Sequence, residues 1–96
     1  MSIDFESIHN HNEQAVLDTV QARAPRFPAL ANNADLLADV ACVALNRLPP
    51  RYIRHRVDMA FYESEGERQS TQRAVEEAVE RAFAFVQARV AMRARA

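Results

Sequence analysis

Glycine and cysteine each occur once in 96 residues, and tryptophan and lysine not at all. With Gly66 alone, no glycine-rich loop can wrap a phosphate, and no serine or cysteine sits in a glycine-flanked nucleophile turn. A single cysteine excludes an internal disulfide and any cysteine-cluster metal site. Cys42 lies in the most apolar segment and reads as small core filler. No apolar run is long enough to span a bilayer. The N-terminal Met1-Ser-Ile-Asp-Phe-Glu lacks the charged start and apolar middle of a signal peptide, so the expectation is a cytoplasmic protein without a membrane partner. The net charge of −1 gives no global pull towards nucleic acid, which is not expected as a partner. All twelve basic residues are arginine. Genome composition explains that most cheaply; forked contacts to phosphate are the sharper reason.

What the chain does contain favours helix. Alanine is abundant and 49% of residues are hydrophobic. The length suits one domain, residues 1–96, with a thin core. A first helix is expected from Asp4 or Ser7 to Ala24, ahead of Pro25. Its apolar face carries Phe5, Ile8, Val16 and Val20, and Asn12 interrupts it. Residues 25–33 read as an ordered loop, stiffened by two prolines and pinned by Phe27 and Leu30. Asn33 is placed to cap a second helix over residues 34–48. That helix is apolar nearly all round, so it is expected at the centre, and it must stop at Pro49-Pro50. Asp39 is its polar exception, either solvated or paired with an arginine. A last helix is expected to begin between Ser64 and Thr71 and run to about Arg93. Its stripe is Val75, Val79, Ala82, Phe83, Val86 and Val90.

Residues 52–62 alternate. Ile53, His55, Val57, Met59 and Phe61 fall on one side, and Tyr52, Arg54, Arg56, Asp58, Ala60 and Tyr62 on the other. Alternation of that length predicts a half-buried strand. A lone strand leaves its backbone unpaired, and the simplest remedy is the same strand of a second copy; the rival is an isolated extended segment lying over the helices. The fold class expected is therefore mainly α: three main helices around a central apolar helix, plus one extended strand pairing across a homodimer.

Little in this pattern points to catalysis, and no enzymatic activity and no cofactor are expected. His9 and His11 are two apart and point to different helix faces; His9 and Glu13 make only two ligands; His55 stands alone. No metal site is expected. The strongest local signal is charge: between residues 47 and 57 lie four arginines, one histidine and no acid. One reading is a solvated edge that blunts the strand. The other is an anion site, because arginine forks match phosphate or a guanine edge and tyrosine stacks on a base.

The run Ala44-Leu-Asn-Arg-Leu-Pro-Pro-Arg-Tyr52 resembles the signature of the ComFB family, the late competence development proteins. Ile8-His-Asn10 with Glu13, and Asp39-Val-Ala41, are further matching positions, and the resemblance extends from about Phe5 to Val90. It implies a small, mainly helical, dimeric protein without established enzymatic activity. The family name comes from an operon for DNA uptake. Some relatives are understood to be receptors for cyclic di-GMP and cyclic di-AMP. Others hold zinc through cysteines before the central helix, but residues 25–33 contain none, so zinc is not carried over. The expectation is a non-enzymatic receptor for a cyclic dinucleotide. Arg47, Arg51, Arg54 and Arg56 would take phosphates or guanine edges, Tyr52 would stack, and Asn46 or Asp39 would orient an arginine or a base. A protein-interaction adaptor without a small ligand is the alternative. Either way a further protein partner, of unknown identity, is expected.

Overall fold

The computed structural model describes residues 2–95, leaving aside the side chain of residue 60. Its elements are β1 (His9–Asn10), α1 (Asn12–Arg23), α2 (Pro28–Ala31), α3 (Ala34–Arg47), β2 (Tyr52–Ile53), α4 (Met59–Tyr62) and α5 (Glu65–Arg95). Short 3-10 turns occupy Phe5–Ser7, Ala24–Arg26 and Arg56–Asp58. The chain is mainly helical, and β1 and β2 form one small antiparallel ribbon.

Three helices, α1, α3 and α5, pack mutually. The stripe of α5 behaves as its spacing predicts: Val75, Val79, Ala82, Phe83 and Val86 are buried and Val90 half-buried. With 31 residues, α5 runs about 46 Å at the usual helical rise. Only its middle is covered; residues 65–70 are all exposed. Val16 and Val20 of α1 and Val40, Ala41 and Ala44 of α3 complete the core with Leu30. The segment between α1 and α3 is pinned as expected, since Leu30 is fully buried and the Phe27 ring stacks on Phe83 with centroids 4.3 Å apart. Asn33 caps α3, its Oδ1 accepting from the Leu36 amide at 3.1 Å.

Four expectations are corrected. First, α3 is not covered all round. In a set of three mutually packed helices each buries one stripe, so Leu36, Leu37, Val43 and Leu45 are only half-buried. Second, Cys42 is exposed rather than core filler, for the same reason. Third, the first helix begins at Asn12, because residues 9–10 leave the helical path to pair with Tyr52 and Ile53. Phe5 and Ile8 are consequently exposed instead of lining that helix.

Fourth, residues 52–62 are not one strand. Only Tyr52–Ile53 is paired, and with β1 of the same chain: Ile53 faces His9 and Tyr52 faces Asn10. A two-residue partner cannot satisfy eleven residues of backbone, and the remainder satisfies itself by turning. The Asp58 amide donates to the His55 carbonyl at 3.0 Å, and the Glu63 amide to the Met59 carbonyl at 3.0 Å. The ribbon formed is therefore within one chain.

Candidate functional site: the Pro-Pro corner and the tyrosine hollows

Leu48, in extended geometry, ends α3. Pro49 and Pro50 then carry the chain away from the helix axis. Two asparagines from the other end of the chain hold this corner. Asn12, the buried polar residue of α1, donates from Nδ2 to the Pro49 carbonyl at 3.0 Å. Asn10 accepts at Oδ1 from two backbone amides, Asn12 and Arg51, each at 3.1 Å. The His11 amide adds a bond of 2.6 Å to the Arg51 carbonyl. Prolines cannot donate from their nitrogen, so the backbone needs outside partners here, and side-chain amides supply both a donor and an acceptor.

Beyond the corner the chain turns back, and Tyr52 and Tyr62 come to border the same two hollows. One, of about 430 Å³, is lined by Ile8, Tyr52, Ile53, Arg54, His55, Asp58 and Tyr62. The other, of about 490 Å³, is lined by Pro50, Arg51, Tyr52, Ile53, Met59 and Tyr62. Both volumes fall in the range of small-ligand sites. In an extended strand the two tyrosines would stand about 33 Å apart. The turn at residues 56–62 is what gathers them. Both rings are exposed, at 68% and 66%.

The seven residues singled out from the sequence do not all meet. Arg51, Tyr52 and Arg54 gather at the tyrosine hollows. Arg47 lines a separate hollow of about 360 Å³ with Glu77 and Arg81 of α5. Asp39 is exposed and lies in another, with Cys42, Arg89 and Arg93. Asn46 and Arg56 are exposed and line none of these four hollows. Among the described residues none of the seven side chains makes a hydrogen bond or ion pair within the chain. Arg51 is held by its backbone alone, which leaves its guanidinium free.

Sequence reasoning missed Asn10 and Asn12 as the clasp, and Asp58 and Tyr62 as lining residues. A signal existed for Asn12, a polar side chain on an apolar helix face. No group of three or more His, Cys, Asp or Glu side chains among the described residues is placed to hold a metal ion. Nor is any described helix long and apolar enough to cross a membrane.

The geometry thus defines a small helical protein with a clasped Pro-Pro corner and unpaired arginines beside two exposed tyrosines. The chain belongs to the ComFB family: residues 9–90 match the family model for late competence development protein ComFB. No curated protein and no solved structure matches it.

Proposed function

We propose that this ComFB-family protein is a non-enzymatic signalling receptor that binds a cyclic dinucleotide, cyclic di-GMP or cyclic di-AMP, as a homodimer. The observation that supports this reading most directly is the grouping of Arg51, Tyr52 and Arg54 with Tyr62 at two adjoining hollows. An arginine free of intrachain partners offers forked donors to a phosphate, and an exposed tyrosine offers a face to a base. A cyclic dinucleotide carries two of each, so two copies of the site about a two-fold axis would match its symmetry. Arg47 and Asp39 line other hollows, and Asn46 and Arg56 line neither tyrosine hollow; a partner copy would be the means of bringing Arg47 and Asp39 to a shared ligand. Ligand binding would bias a surface read by another protein.

The direct test is isothermal titration calorimetry with cyclic di-GMP and with cyclic di-AMP. Binding to the wild type is expected, weakened about tenfold or more by Arg54→Ala or Arg51→Ala, since each removes a charge-assisted contact. The absence of both heat and a thermal shift at high micromolar ligand would remove the reading.

The second reading is a protein-interaction adaptor. It is favoured by the exposed apolar side chains of Ile3, Phe5, Val57 and Phe61, on the two segments that β1 and β2 bring side by side. A partner retained in pull-downs by Arg51→Ala and Arg54→Ala proteins, with no nucleotide binding, would establish it.

A further inference from the structure

We propose that Asp58 is the specificity-determining residue of the tyrosine hollow and selects a guanine base over adenine. This rests on the cyclic-dinucleotide reading of that same site. Among the described residues that line the hollow bordered by Ile8 and Arg54, Asp58 is the only acid, and it is half-buried. Its carboxylate makes no hydrogen bond or ion pair among the described residues and does not cap α4. A carboxylate in that position has acceptors and no donor to offer.

Tyr52 and Tyr62 border the hollow with rings that do not stack on each other; the stacked aromatic pair among the described residues is Phe27 with Phe83. A planar base entering here would be bordered by tyrosines from two elements and by one carboxylate. The Watson–Crick edge of guanine presents two neighbouring donors, N1–H and the N2 amino group, which suit the two oxygens of Asp58. Adenine presents one donor, the N6 amino group, beside the lone pair of N1, which would face a carboxylate oxygen. A site built for a donor pair rejects the base that lacks one. Arg54, in the same hollow, is then left for phosphate, which both ligands share.

The experiment is calorimetric titration of wild type, Asp58→Asn and Arg54→Ala with cyclic di-GMP and cyclic di-AMP. Wild type should favour the guanine ligand by about tenfold or more, the scale of one paired base contact. Asparagine offers one acceptor and one donor, the complement of adenine's edge, so Asp58→Asn should abolish or reverse that ratio. Arg54→Ala should weaken both ligands by similar factors and keep the ratio. Because the Asp58 side chain makes no hydrogen bond or ion pair among the described residues, the near-isosteric Asp58→Asn should melt like the wild type; Asp58→Ala is the second variant and should flatten the ratio. If wild type binds both ligands equally, or if the ratio survives both Asp58 changes, the role of Asp58 is overturned while the receptor reading stands. If neither ligand binds wild type, both fall together.

Discussion

Asn12 and Pro49 stand 37 positions apart in sequence and are joined by one hydrogen bond, from Asn12 Nδ2 to the proline carbonyl at 3.0 Å. Asn12 is only 3% exposed, so water cannot replace the bond cheaply. Asn12→Ala is expected to lower the unfolding free energy by about 1–3 kcal/mol in chemical denaturation. Asn12→Asp keeps the shape but turns an acceptor towards the Pro49 carbonyl, and should cost at least as much. An aspartate variant as stable as wild type would remove the clasp as a source of stability.

The aromatic stack is the second stability test. Phe83 is fully buried and Phe27 lies flat on it, 3° from parallel. Phe83→Ala should cost about 3–5 kcal/mol. A double-mutant cycle with Phe27→Ala should return a coupling of about 0.5–1.5 kcal/mol. A coupling near zero would mean that the loop is pinned by Leu30 alone.

Arg23, at the end of α1, forms ion pairs with Glu80 and, at 4.0 Å, with Glu76 of α5; Arg26 reaches Glu80 at 3.6 Å. The Glu80 side chain is 40% exposed, so solvent screens the cluster. The Arg23–Glu80 coupling energy should be no more than about 1 kcal/mol and should shrink in molar salt.

Gly66 sits in the first turn of α5 with nothing near the place a Cβ would occupy. Ser64 already caps that helix, accepting from the Glu67 amide at 3.1 Å. Gly66→Ala should therefore stabilise by about 0.4–1 kcal/mol, through the unfolded chain, and raise the melting midpoint.

Self-association has its own test. Sedimentation should return about twice the 10.9 kDa chain mass if the protein is a homodimer. Phe61, 82% exposed, is the most accessible large apolar side chain near the tyrosine hollows. If this patch forms the contact, Phe61→Ser should shift the population towards single chains.

Much of the helical framework was legible in the residues because it depends on local rules. The valines of α5 recur at steps of three and four, Asn33 caps the helix directly after it, and Pro49-Pro50 forbids further helix. The stretch from Tyr52 to Tyr62 was misread because alternation is a reliable guide only when a partner strand of matching length exists. The available partner is His9–Asn10, two polar-edged residues that carry no strand signal of their own. Part of the candidate site was lost with that misreading. Tyr52, Arg51 and Arg54 could be picked out by type, but the nearness of Tyr62 and Asp58 depends on the turn that the alternation concealed.

The double acceptor at Asn10 also has a temporal side. A ribosome makes Asn10 41 residues before Arg51, whose amide it will hold. At ordinary elongation rates that interval is about 2 to 8 seconds. Throughout it the leading segment has no mate, so the corner can close only after the chain from α1 through α3 has been translated.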